Sequence, residues 1–262
     1  MRASYTTSTA RTPSRRRLAI FIGQILIIAA LFAAWQAASG PLVKPLWISK
    51  PTAIFEALAI ALGDGSMMHH LETTLMTVTL GYGLGVASGV LAGIALGLSP
   101  FLERVLAPLI AGFWSLPKIA LLPLFVIFFG IGIASKVALV AIVVFFLVLY
   151  STRDGVRDVD QDLIDTLRVM GATTGEIIFK VLLPSALSWI YTGMRISIIH
   201  ALTTTVVGEL LSSNRGLGFL IARSSAEFET AEVFASVIVL VALSLVISGA
   251  VNWIERRSAL HG

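Results

Sequence analysis

Three stretches of this chain, 18–38, 73–98 and 233–254, contain no charged residue. Each is long enough to cross the ~30 Å hydrocarbon core of a bilayer, which takes about 20 apolar residues in a helix. In that medium every backbone N–H and C=O must be paired inside the protein, so only helices and closed barrels can span it. Barrel strands alternate between apolar and polar residues, and these runs do not. The chain is therefore expected to be an all-α membrane protein. Composition agrees: 56% of the 262 residues are hydrophobic and 13% are charged, against roughly one-quarter charged in soluble domains.

Six spans are expected, at about 18–38, 71–98, 104–133, 136–152, 186–211 and 232–254. They form one transmembrane domain over 18–262, after a basic tail at 1–17 that is expected to be disordered. That tail has the look of a signal-peptide n-region, but no small-residue cleavage signal ends the apolar run, so the first helix is read as retained. Pro108, Pro117 and Pro123 interrupt the third span, and Lys118 lies inside it. It is either one broken crossing or a re-entrant pair, since irregular backbone at membrane depth is tolerated where protein or water covers it. With one crossing and the N-terminus inside, twelve Lys and Arg fall on the inner side and five on the outer. This positive-inside bias favours cytoplasmic termini and a cytoplasmic 153–185 segment. The basic charge thus reports orientation rather than nucleic-acid binding. Cysteine is absent, which excludes disulfides, thiolate metal sites and cysteine nucleophiles.

The segment 153–185 is charged and punctuated by glycine in an otherwise apolar chain. Asp160 or Asp162 can cap a helix with an acidic first turn. Leu163, Leu167 and Met170 then share a face. Gly171 suits the left-handed position that ends a helix. Thr173 and Glu176 have capping-box spacing and start a second helix, with Ile177, Ile178, Val181 and Leu182 as its apolar side. Pro184 lacks an N–H, so it is expected to stop that helix and open the next. Two short helices joined at a glycine could pack on their own membrane domain or dock a soluble partner.

From Asp165, Thr166 and Leu167 through Gly171 to Val181, Leu183 and Pro184, the spacing resembles the cytoplasmic loop of ABC-importer permeases. That loop reads Glu-Ala-Ala, three residues, Gly, nine residues, Ile, one residue, Leu-Pro. Asp, Thr and Leu stand here for its Glu-Ala-Ala. The stretches LPKIALLPLFVIFFGIGIASK (116–136), TGMRIS (192–197) and GELLSSNRGLGFLI (208–221) are similar to the nitrate, sulfonate and taurine branch of these permeases. SKPTAIFEAL and HHLETTL fit that branch upstream. The resemblance implies a type I ABC-importer permease in the inner membrane, carrying a small anion. It implies two paired permease chains as a homodimer, two separate ATPase subunits that hold ATP and Mg, and an extracytoplasmic binding protein. It also implies that Met170, Ala172, Glu176 and Ile177 join the residues above in contacting the ATPase. No phosphate-binding G-x-x-x-x-G-K-[ST] loop occurs in the chain, so hydrolysis would fall to a partner and the chain would not itself be an enzyme.

Within the fifth span Gly193, Ser197, His200 and Thr204 follow one helical face, with Thr203 and Gly208 at its edges. Hydroxyls and an imidazole can solvate a passing anion without trapping it, and the face is read as a cavity wall; such residues also let helices pack closely. Glu209 matches the Glu of the family's V-x-E stretch, where either a gate-linked hydrogen bond or plain exposure is open. His200 has no second His or Cys at metal spacing, so no metal site is expected. Gly81, Gly85, Gly89, Gly93 and Gly97 recur at every fourth residue, a ridge for close helix approach. An ion-driven secondary transporter and a non-transporting scaffold are the rivals. The first wants acids inside the membrane, where Glu209 is the one candidate. The second leaves 165–184 without a partner.

Overall fold

The computed structural model describes residues 14–258. Its helices are α1 (Ser14–Ala38), α2 (Pro51–Gly63), α3 (Ser66–Leu98), α4 (Pro100–Ser115), α5 (Leu122–Phe129) and α6 (Ile133–Arg157). Then come α7 (Gln161–Val169), α8 (Thr174–Ile177), α9 (Leu183–Leu211), α10 (Leu217–Ala226) and α11 (Thr230–Ser258). Among the described residues there is no strand, and an isolated bridge joins Ser39 to Val43. Five helical segments are long and apolar enough to cross a membrane, and the bent pair α4–α5 makes a sixth when counted as one span. The expected basic tail falls mostly in 1–13, outside the described residues.

The core is built on α6, which α3 and α9 flank. On α3 the glycine ridge meets a branched row of α6. Gly81 lies at Val140, Gly85 at Val144, Gly89 at Val148, Gly93 at Thr152 and Gly97 at Val156. The sequence offset is 59 at every contact, so α3 and α6 run parallel. A Cβ added at Gly81 would stand 2.6 Å from the Val140 Cβ, and one at Gly89 would stand 2.8 Å from the Phe145 carbonyl. Only a missing side chain permits that approach. On its other side α6 meets α9 antiparallel: Gly155 lies against Trp189, Gly193 against Ser151 and Gly208 against Lys136. Across these pairs the position on α9 rises by the same number of residues as the position on α6 falls. Leu139, Val140, Val144 and Val148 between the flanking helices have no exposed surface.

The parallel pair decides the third span. α3 finishes at the end of the bundle where α6 also finishes, so residues 99–132 must carry the chain back to the other end. The segment is thus one broken crossing. The break is a 90° bend between α4 and Lys118–Phe129, at Leu116 and Pro117, where the residue before proline is extended (ψ 136°). Pro108 sits within α4 without ending it. Glu103 in the first turn of α4 forms ion pairs with Arg157 and, at 3.7 Å, with Arg153. Those pairs pin the start of α4 beside the last turns of α6.

Two expectations differ. The spans are longer than their uncharged cores, since α3 begins at Ser66 and α6 runs on to Arg157. The helix after Gly171 also does not stop at Pro184. Residues Ile178–Leu182 widen into a π-turn, and Pro184 then sits in the first turn of α9. A wide turn relieves the clash between a proline ring and the carbonyl one turn earlier, so the chain passes the proline without a break.

Candidate functional site

Two regions hold the residues singled out from the sequence. The first is the corner between α6 and α9. Asp160 caps α7, its carboxylate accepting the Asp162 amide at 2.9 Å. After Val169 the chain turns through Gly171 at φ +89°, a conformation that costs a side chain energy but not glycine. Ala172 N then donates to the Leu167 carbonyl at 2.9 Å. Thr173 and Glu176 close a complete capping box, and Lys180 pairs with Glu176 at 2.9 Å. These two partners hold the Glu176 carboxyl down at about 2, with Lys180 the larger cause.

Leu167, Met170, Gly171, Ala172, Glu176 and Val181 border an open groove of about 370 Å³. Its surroundings are apolar and uncovered: Val169 is 90% exposed and Met170 77%. Asp165 and Thr166 are exposed, and Asp165 pairs with Arg168 at 3.0 Å. The inward residue of α7 is Ile164 rather than Leu163, which is 47% exposed. Ile177 is buried in the chain's own fold, so it can brace α8 but offers little surface. Leu183 and Pro184 lie on the run into α9. Trp189 Nε1 donates to Asp158 at 3.2 Å and ties α9 to the corner.

The second region is α9. Its expected polar face divides in two. Gly193, Ser197, Thr204 and Gly208 are buried, the two glycines against α6. His200 and Thr203 are exposed on the other side. The buried arc centres on Ala201, about 80° from Gly193 at 100° per residue, and His200 falls outside it. As a set, then, these residues do not form one cavity wall within the chain: Ser197 and Thr204 pack, while His200 and Thr203 face outward.

Glu209 lies at the end of α9 and is 1% exposed. Both its oxygens stand 3.0 Å from the Thr74 hydroxyl of α3, and the Gly218 amide donates to it at 3.0 Å. Thr74 in turn accepts the Leu217 amide at 2.9 Å, and His70 Nδ1 accepts the Gly216 amide at 3.1 Å. Three successive amides at the start of α10, which as a helix N-terminus lack partners of their own, are thereby satisfied by α3 and α9. Gly216, at φ +113°, lies so close to the Glu209 carboxylate that no Cβ would fit. Lys136, one of the five cations assigned to the outer side, is 2% exposed in the first turns of α6, donating to the Gly132 carbonyl at 2.9 Å. It shares a cavity of about 60 Å³ with Glu209, Thr73 and Thr77. Of these partners, the sequence pointed to Glu209 alone. The glycines at 216 and 218, so near an acid in GELLSSNRGLGFLI, were the available signal. No cluster of three metal-ligating side chains occurs among the described residues.

Comparison with known proteins agrees with this architecture. The model of the binding-protein-dependent transport system inner membrane component family matches residues 85–259. The taurine transport system permease protein TauC of Escherichia coli is 32% identical over 96% of this chain and 93% of its own length. A putative aliphatic sulfonates transport permease, SsuC of Bacillus subtilis, is 32% identical over 94% and 90%. The inward-facing MetNI methionine ABC transporter superposes with a TM-score of 0.62 at 23% identity, covering 71% of this chain and 92% of that one. An amino acid ABC transporter with histidines superposes with a TM-score of 0.63 at 19% identity, covering 76% and 97%. A chain matched by the family model over two-thirds of its length, and by transport permeases nearly end to end, belongs to the binding-protein-dependent transport system inner membrane component family, the permease subunits of ABC importers.

Proposed function

We propose that this chain pairs with a second copy to form the translocation pathway of an importer for a small sulfonate-type anion such as taurine, with nitrate as a chemically related alternative. An extracytoplasmic binding protein delivers the substrate. Two separate ATPase subunits, which hold ATP and Mg, dock at the corner formed by α7 and α8. Both termini and that corner are cytoplasmic, and the whole lies in the inner membrane. The observation that carries this reading is the corner itself. Its exposed Val169 and Met170, held on capped helices around Gly171, make an apolar surface that this chain leaves uncovered. Permeases of taurine and aliphatic sulfonates among its relatives support the substrate class. Glu209, the acid an ion-driven transporter would want, is engaged by fixed donors, which argues for a structural use.

The test is reconstitution. The permease, its ATPase and its binding protein are placed in liposomes, and uptake of taurine, ethanesulfonate and nitrate is measured with and without ATP. ATP-dependent uptake of at least one, with hydrolysis stimulated by the loaded binding protein, is expected. Uptake driven by an ion gradient without ATP would refute the importer mechanism. ATP-dependent uptake of none of the three would refute the substrate class.

A further inference from the structure

Lys118 stands at the corner where α4 ends and the chain bends by 90°. Its ammonium donates to the Trp114 carbonyl at 2.9 Å. It lies 4.5 Å from the centre of the Trp114 ring and 5.5 Å from that of Phe146. Phe146 is midway along α6. By the two helix registers it stands level with residue 87 of α3 and residue 198 of α9. Lys118 is therefore at the middle of the bundle, at the level of Ser197 and close to that of His200.

A charge at that depth is costly in lipid, and such charges almost always face a protein interior or a water-filled cavity. Lys136 makes the contrast. It is buried near one end of α6 and shares its cavity with Glu209. No carboxylate pairs with Lys118 among the described residues. An ammonium has three donors, and one is used. The two rings attract the cation through their quadrupoles but leave its charge in place. The residue keeps part of its surface, and α4, which leads into it, buries no residue in this chain. An unneutralised, partly open cation is thus held on a bent backbone at mid-membrane.

We propose that Lys118 is the anion-recognising residue of the translocation pathway. It gives a passing oxyanion of the sulfonate class one charge-assisted hydrogen bond, framed by Trp114 and Phe146. A single such bond suits transport, because a pathway site must attract its solute yet release it. This rests on the pathway reading above and adds the residue that selects for charge.

The experiment uses the reconstituted complex with ethanesulfonate as probe. Lys118→Gln should lower uptake by about tenfold or more, the scale of one lost charge-assisted hydrogen bond, in complex that assembles in normal amount. Lys118→Arg should keep most of it. Lys118→Cys introduces the only thiol of the chain, which reads the site independently of substrate. That thiol should react with water-soluble methanethiosulfonates. The aminoethyl adduct, which rebuilds an ammonium, should restore uptake, and the sulfonatoethyl adduct should not. A thiol inert both with and without ATP would overturn the proposal, as would wild-type uptake by Lys118→Gln. Wild-type complex that carries only neutral solutes would overturn both this proposal and the substrate class. ATP-dependent sulfonate uptake that ignores residue 118 would overturn this proposal alone.

Discussion

The hydroxyl of Thr74 on α3 stands 3.0 Å from each carboxylate oxygen of Glu209 on α9, across 135 residues of sequence. The same hydroxyl accepts the Leu217 amide. One threonine thus links two spans to the start of α10, and the acid it contacts shares a cavity with Lys136.

Removing that carboxylate should be expensive. Glu209→Leu leaves the buried Gly218 amide and the Thr74 hydroxyl without their acceptor. A buried donor left unsatisfied typically costs about 1–3 kcal/mol. Glu209→Gln keeps an acceptor for Gly218 and should cost less. Thermal unfolding of the purified complex in detergent should rank wild type above Glu209→Gln, and that above Glu209→Leu. Equal transitions for all three would show that the contacts carry no stability.

The glycine ridge should not tolerate bulk. Gly89→Leu would drive a side chain into the Phe145 carbonyl and Val148, and overpacking alone costs about 1–3 kcal/mol. Here the obstacle includes backbone, so α3 would have to leave α6. The expected result is a marked fall in assembled complex on size-exclusion chromatography. Gly83→Leu is the control, because nothing lies within 4 Å of a Cβ at that position, and it should assemble normally.

Gly171 should matter through its backbone. At φ +89° a β-branched residue is strained by about 1–3 kcal/mol, and no neighbour blocks a Cβ there. Gly171→Val should therefore insert and pair normally while misaiming α8. Copurification of the ATPase, or its stimulation by loaded binding protein, should fall. Normal values for both would make the corner an ordinary surface loop.

The division of the α9 face can be read with single cysteines, since the native chain has none. His200→Cys and Thr203→Cys stand on the exposed side and should react with small water-soluble thiol reagents in the assembled complex. Ser197→Cys, with 0% exposure, should stay unreactive. The reverse pattern would show that α9 turns its buried arc to the pathway.

Much of this protein was legible in one dimension. Uncharged runs fixed the helices and their approximate number, because a bilayer leaves backbone groups no other partner. A cap at Asp160 or Asp162, the turn at Gly171 and the box of Thr173 with Glu176 were also readable, since each depends on residues within one or two turns of each other. The glycine row on α3 was visible because helical periodicity is a local property.

The tertiary structure decided the rest. Which helix the glycines meet, and in which direction, depends on the row Val140, Val144, Val148, Thr152 and Val156 on a helix 59 residues away. That parallel pairing, not any local signal, makes 99–132 a single broken crossing. Glu209 could have been exposed or bonded by sequence alone; its burial follows from Thr74 and the amides of α10 arriving at the same point. His200 and Ser197 sit three residues apart, and only the position of α6 turns one inward and leaves the other outside. Helical spacing defines faces, but which face is buried is settled by the neighbours that pack against it.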